Sequence, residues 1–163
     1  ISACAPSHSP VPGNITAGDT IGHRVDLLTM ELIRITGQDD VTQAKQLART
    51  AIHHSLLLAD TYQLTGPPLF HNILVRIGIK ERGLCYHFAD DLKDELEQLQ
   101  LSGLELHLAV AYLGSDLKEH NCLVVTAVNQ PFSHGMVLDP WRGSGHLYWG
   151  RVDQDRYPWR KRE

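Results

Sequence analysis

The sequence predicts an α+β protein in which an N-terminal lobe of helices packs on an antiparallel β-sheet. Up to about residue 100, apolar residues recur with the 3.6-residue period of amphipathic helices. After Gly103 they alternate with a period of two, as in half-buried strands. The chain has 163 residues and shows no internal repeat, which indicates one domain. Helices that precede a block of strands favour the α+β class.

Four helices are predicted in the first part of the chain. Asp19 or Thr20 can cap the first helix and Asp40 the second, while Gly66-Pro67-Pro68 ends the second and Gly78 the third. In the fourth, leucines recur on one face. We place these helices at about residues 19–36, 41–64, 69–77 and 84–100.

Four strands are predicted after the helices. The stretch 120–128 is rich in β-branched residues and is typical of a central strand. The tail from Tyr157 to Glu163 is polar and basic, so we expect it to pack only through Tyr157 and Trp159. We place the strands at about residues 104–110, 120–128, 136–139 and 146–152.

Composition excludes several classes of protein. Hydrophobic residues make up 42% and charged residues 21% of the chain, which is ordinary for a globular protein. The net charge of −4 argues against a nucleic-acid partner, because nucleic-acid binders carry a basic face. No apolar run approaches the roughly 18 residues of a membrane span. Three cysteines are too few for a disulfide scaffold.

The first four residues, Ile1-Ser2-Ala3-Cys4, resemble the lipobox of bacterial lipoproteins. The resemblance implies that Cys4 is lipidated and that residues 1–18 are a lipobox remnant and a flexible tether, with a single domain at 19–163. It places the protein outside the cytoplasm, on the periplasmic face of a bacterial membrane and attached by its lipid anchor only. Ala5 after the cysteine suggests the outer membrane. The alternative is a chance cysteine at this position.

Three residues stand where an active site would need them. Cys85 falls in the first turn of a helix, where unpaired N–H groups and the helix dipole favour a thiolate. His120 begins the most apolar strand, and Asp139 ends the next one. A thiol, an imidazole and an orienting carboxylate are the groups that covalent acyl transfer requires. The alternative for Cys85 is a small buried hydrophobic residue.

Residues 82–92, RGLCYHFADDL, resemble the nucleophile motif of the transglutaminase-like superfamily of papain-like folds. The histidine of that family begins a strand and its aspartate ends the following one, as do Glu119-His120-Asn121 and Leu138-Asp139-Pro140 here. The resemblance covers residues 80–142. It implies a transglutaminase-like domain at 19–163, with Cys85 as nucleophile, His120 as base and Asp139 as orienting residue.

The same resemblance implies a cysteine peptidase or amidase that hydrolyses peptide or isopeptide bonds of a protein, peptide or cell-wall substrate without a cofactor. The alternative is a non-catalytic lipoprotein that uses this fold to bind a protein or cell-wall partner. Ile79 occupies the position of the papain oxyanion glutamine. Asn72 is therefore a candidate second oxyanion donor and substrate-binding residue, and Trp141 a candidate wall of the substrate cleft.

Two further arrangements compete for the same side chains. Cys122 lies two residues after His120 and points to the same face, so a Cys85–Cys122 disulfide is an alternative in an oxidising compartment. The ten histidines raise the question of zinc, but no HxxxH or CxxC spacing is present, and we expect no metal site. Histidines considered as ligands are His53, His54, His71, His87 and His120.

Overall fold

The computed structural model describes residues 19–36 and 41–163, so the predicted lipidation site Cys4 and the predicted tether lie outside the described residues. The helices are α1 (Ile21–Thr36), α2 (Val41–Thr61), α3 (Pro68–Arg76) and α4 (Cys85–Glu97). The strands are β1 (Leu104–Ala111), β2 (His120–Ala127), β3 (Met136–Asp139), β4 (Tyr148–Arg151) and β5 (Arg160–Lys161). The described chain is therefore α+β, with four α-helices before a five-stranded antiparallel sheet, and the predicted order is confirmed.

The strand order in the sheet is β4-β3-β2-β1-β5. All pairs are antiparallel, and β2 is the central strand, with all eight residues buried. Its register with β3 places Leu123 opposite Leu138. Because the two strands are antiparallel neighbours, this pairing brings the start of β2 and the end of β3 to the same end of the sheet.

The tail does more than pack through its aromatic side chains, so the prediction for residues 157–163 is wrong. Lys161 pairs with Ala109 and Arg160 with Val110, which makes the tail the edge strand β5. The backbone N–H of Arg162 continues the ladder by donating to the Leu108 carbonyl, 2.8 Å away. A two-residue strand of basic residues carries no periodic signal, so the sequence pattern could not indicate it.

Two helices end about three residues earlier than predicted, for the same reason. Gln63 and Gln100 adopt positive φ angles of 50°, a conformation that cannot continue a right-handed helix. Helix α2 accordingly ends at Thr61 and α4 at Glu97, although neither position carries the glycine that normally signals such a stop. In the described part of the chain, no helix combines the length and the apolar character needed to cross a membrane.

The sheet buries both of its faces, but unequally. Helices α1, α2 and α4 cover one face with the larger apolar core, which includes Leu28, Leu47, Leu92 and Leu123. The other face carries a smaller cluster of Ala109, Ala111, Cys122, Val124, Val137 and Trp159. Helix α4 packs directly on β2. The first residue of α4 therefore meets the first residues of β2, which positions the site described next.

Candidate active site

Cys85 is the first residue of α4, is half-buried, and lines an open cleft. The first N–H groups of a helix have no intrahelical acceptors, so they present a positive end to this thiol. The residues before it are unusually constrained. Gly83 is buried and has a φ of +119°, and Leu84 is the extended residue from which the helix starts.

The histidine His71 explains why a glycine precedes Leu84. A Cβ atom at position 83 would lie only 2.3 Å from His71 Nε2. The buried ring donates from Nε2 to the carbonyl of Arg82 at 2.8 Å and accepts from the backbone N–H of Thr65 at Nδ1, 3.2 Å away. His71 is thus a neutral bridge between two loops, and both of its nitrogens are occupied.

His87 restrains the same turn from the other side. Its Nδ1 accepts from the backbone N–H groups of Gly83 at 3.1 Å and Leu84 at 3.2 Å. Burial, followed by the charge of Arg82, lowers the pKa of His87 and keeps its ring neutral, as an acceptor must be. In the sequence, His87 is a candidate only for metal binding. Its third position in the helix is the signal that could have identified it as a cap.

The structure brings His120 and Asp139 together on neighbouring strands. His120 Nε2 lies 2.6 Å from Asp139 Oδ2, and both side chains are buried. Because Asp139 occupies Nε2, the other ring nitrogen, Nδ1, is the one left for Cys85, which lies close enough to contribute to the raised pKa of His120. The three residues nominated from the sequence therefore form a continuous array.

Electrostatics in this array favour a charged imidazole. Burial alone lowers the pKa of His120, but the charge and hydrogen bond of Asp139 outweigh it and, with Cys85, raise that pKa to about 9. Burial alone raises the pKa of the Asp139 carboxyl, but His120 and Arg142 outweigh this effect and lower that pKa. At neutral pH the pair is therefore an imidazolium and a carboxylate.

Arg142 is a further hydrogen-bond donor to the Asp139 carboxylate, and the sequence did not identify it. Arg142 donates to Asp139 twice, from its backbone N–H and from Nε, each at 3.1 Å. Its two terminal nitrogens contact the carboxylate of Asp155 at 3.3 and 3.0 Å, and its guanidinium stacks 3.8 Å from the ring centre of Tyr148. The only sequence signal for this role is an arginine three residues after the aspartate. The array thus continues from Asp139 through Arg142 to Asp155.

Aromatic side chains surround the imidazole. The ring centres of Trp141, Tyr157 and Trp159 lie 4.7, 4.8 and 5.4 Å from that of His120. The candidate wall residue Trp141 donates its indole N–H to Asn72 Oδ1 at 3.1 Å. Asn72 therefore lines the cleft, as the sequence hypothesis requires, but its amide oxygen holds a tryptophan in place.

The cleft above Cys85 has a volume of about 420 Å³. One wall is α3 and the other is the loop between β1 and β2, and Arg76 joins them by donating to the carbonyl of Asp116 at 3.0 Å. Apolar and charged side chains both line it. These residues are Leu69, Asn72, Ile73, Arg76, Tyr112, Asp116, Leu117, Lys118, Glu119, Trp141 and Tyr157.

The disulfide alternative is wrong, because Cys85 and Cys122 are both free thiols. Cys122 is completely buried on the far face of the sheet, and burial raises the pKa of its thiol well above the ordinary value. This makes Cys122 inert at neutral pH.

Within residues 19–36 and 41–163, no group of three or more histidine, cysteine, aspartate or glutamate side chains could hold a metal ion.

No protein-family model, curated protein or solved structure matches this chain. What the site does is therefore inferred from its geometry and from the local sequence motif.

The contact between Gly83 and His71 predicts an unusually costly substitution. Gly83→Ala should lower the free energy of unfolding by roughly 3 kcal/mol or more, because it adds a steric clash to an unfavourable φ. Gly78 also has a positive φ, of 78°, but open space around it, so Gly78→Ala should cost only about 1–2 kcal/mol. Urea denaturation of the two variants measures the difference. Equal losses would contradict the role of His71.

The raised pKa of His120 predicts a loss of stability at alkaline pH. A raised folded-state pKa contributes stability that is complete below the unfolded value of 6.5 and disappears as the pH rises through about 9. The free energy of unfolding should therefore fall by roughly 3 kcal/mol at most between these values. His120→Gln should flatten this slope, whereas His53→Gln, at an exposed position of α2, should keep it. An unchanged slope in His120→Gln would refute the assignment.

Proposed function

We propose that this protein is an extracytoplasmic thiol hydrolase that cleaves peptide or isopeptide amide bonds through Cys85, His120 and Asp139. The observation that carries the proposal is the buried ion pair of His120 and Asp139 beside a thiol in an open cleft. Burying two charges is costly, and a well-packed apolar pair would serve stability as well. Such a pair next to a nucleophile is the arrangement that catalysis needs.

The side chains divide the chemistry between them. In the resting ion pair His120 Nδ1 already holds the proton of the Cys85 thiol, and the thiolate attacks the carbonyl carbon of the substrate while the carbonyl electron pair moves onto oxygen. When the tetrahedral intermediate collapses, the C–N bond breaks and the leaving amine takes the proton from the imidazolium. Water then attacks the thioester with the imidazole as base, the C–S bond breaks, and the acid leaves while the thiolate and the imidazolium are restored. Asp139 keeps the proton on Nε2 throughout.

A transglutaminase-like, papain-like fold is part of the proposal. The supporting features are the helical lobe, the nucleophile at the start of α4, the base at the start of β2 and the carboxylate at the end of β3. Gly83 also supports it, since the glycine of the motif has a steric reason to be there.

The cleft suits an extended peptide segment. Leu69, Ile73 and Leu117 are strongly exposed, and they line the cleft together with Trp141. Acidic and basic side chains stand at the same opening, which suits the polar backbone and mixed side chains of a protein, peptide or cell-wall substrate. Trp141 is the proposed substrate-contacting residue because it faces both the cleft and the imidazole.

The imidazolium beside Cys85 predicts a thiol that reacts in acid. In a Cys4→Ser background, we expect iodoacetamide to alkylate Cys85 at pH 6 at least tenfold faster than it alkylates glutathione, because a free thiol with a pKa of about 8.5 is almost wholly protonated there. His120→Ala should remove this advantage. Mass spectrometry of the modified peptide follows the rate.

Cys122→Ser is the matched control, since it removes the other described thiol without touching the array, and it should leave the rate unchanged. A Cys85 that reacts like glutathione with and without His120 would instead favour the binding module, in which the same fold only holds a partner.

We also propose that Cys4 carries a lipid and anchors the protein to the periplasmic face of a bacterial membrane, most simply the outer membrane. The support is the Ile1-Ser2-Ala3-Cys4 motif followed by Ala5. Expressed in a bacterium behind a lipoprotein signal segment, the chain should partition with membranes, and Cys4→Ser should move it to the soluble fraction. The control Cys122→Ser should stay with the membranes. Equal partitioning of Cys4→Ser and the parent would refute the anchor.

A further inference from the structure

Asn121 is a second polar side chain that reaches Cys85, and the proposed mechanism has not used it. It follows His120 on β2, is 4% exposed, and its amide nitrogen Nδ2 lies 4.0 Å from Cys85 Sγ. Side chains alternate along a strand, so Asn121 points to the helix-covered face with Leu123 while His120 points to the other face. The thiol thus lies between the imidazole on one side and the amide on the other.

The orientation of this amide follows from its partner. Arg162 Nη1 donates to Asn121 Oδ1 at 3.0 Å. A guanidinium has donors only, so the atom that faces it must be the amide oxygen, and the amide N–H₂ group must face Cys85. Arg162 is itself held by the carboxylate of Asp90 on α4 and by its backbone bond to Leu108.

The amide nitrogen lacks a strong acceptor. Its contacts are the sulfur at 4.0 Å and Glu119 Oε1 at 3.5 Å, both at the long limit of a hydrogen bond. The other carboxylate oxygen of Glu119 accepts from the backbone N–H of Gly114 at 2.8 Å. A buried donor that is aimed at a nucleophile and only weakly paired can form a stronger hydrogen bond with the oxyanion that appears during the reaction.

We propose that Asn121 is a catalytic residue that donates to the oxyanion formed when Cys85 attacks a carbonyl, with the backbone N–H of Cys85 as the other donor. This inference rests on the proposed thiol hydrolase function. The oxyanion hole works because its donors are aimed where negative charge develops, so they bind the transition state better than the ground state. Arg162 is a positioning residue that acts through Asn121.

The alternative donor Asn72 is less suitable. Asn72 lies on the α3 wall of the cleft, and the structure gives its amide no hydrogen bond with the Cys85 sulfur, whereas the amide of Asn121 has one. Asn121 comes from the strand that also supplies the base, so the donor and the base are held by one rigid element.

Two reagents separate oxyanion stabilisation from thiol reactivity. p-Nitrophenyl acetate acylates a thiolate through a tetrahedral oxyanion: the C–S bond forms, the C–O bond to the leaving group breaks, and p-nitrophenolate departs with its electron pair. Iodoacetamide reacts by direct displacement of iodide and forms no oxyanion. Both rates are measured on the same samples in the Cys4→Ser background, the first from nitrophenolate absorbance and the second by mass spectrometry.

Asn121→Ala should slow Cys85-dependent acylation at least tenfold, since loss of one oxyanion donor commonly costs about 10²–10³ in rate. Its alkylation rate should stay within about twofold. Asn121→Leu keeps the volume of the side chain and should show the same ratio, so the result does not depend on the stability of the alanine variant. Arg162→Ala should show a smaller loss with the same selectivity for acylation.

Thr126→Ala is the matched control, because it truncates another buried polar side chain of β2 roughly 17 Å from Asn121, and both rates should be unchanged. Equal slowing of both reactions in Asn121→Ala and Asn121→Leu, or no slowing of acylation, would overturn the role of Asn121. If the parent releases no nitrophenolate beyond that of its Cys85→Ala variant, the hydrolase proposal itself fails.

Discussion

The buried contact between Asp139 and His120 is the constraint on which the rest of the site depends. A carboxylate with no exposed surface is tolerated in a protein interior only when its charge is paired and both of its oxygens accept hydrogen bonds. Asp139 meets that condition with the imidazole on one side and with Arg142 on the other. Arg142 then needs Asp155, which extends the requirement into the segment before β5. One buried charge therefore fixes the arrangement of β2, β3 and the chain that follows β4.

A second set of constraints holds the nucleophile. Two histidines hold the turn before α4 through hydrogen bonds of opposite direction. His71 donates to a carbonyl of the turn, and His87 accepts from its N–H groups. Between them Gly83 permits a backbone that no larger residue could follow. The thiol is thus placed by rigid backbone, while the groups that act on it come from the sheet. Rigid placement of this kind is what allows reacting groups to meet without reorganisation.

The sequence supports some of these conclusions and not others, for identifiable reasons. Helical and strand periods reflect which face is buried, so the element order and the positions of Cys85, His120 and Asp139 at element ends could be predicted. Arg142 and Asp155 could not, because their pairing depends on loop conformations that leave no period in the sequence. The role of Asn121 was equally hidden: it rests on Arg162, which reaches the site only because the tail adds a strand to the sheet.

The ordering of the Asn121 side chain beside Cys85 also depends on β5, the shortest strand of the sheet. Strand β5 has two residues and lies at an edge, and edge segments of this kind open locally at a small fraction of the free energy that global unfolding requires. Arg162 directly follows the strand, so an opening of this edge would take its guanidinium away from the amide oxygen of Asn121 while the core stays folded. The order of the Asn121 amide beside Cys85 therefore depends on how often β5 opens. It does not depend directly on the free energy of unfolding of the whole domain.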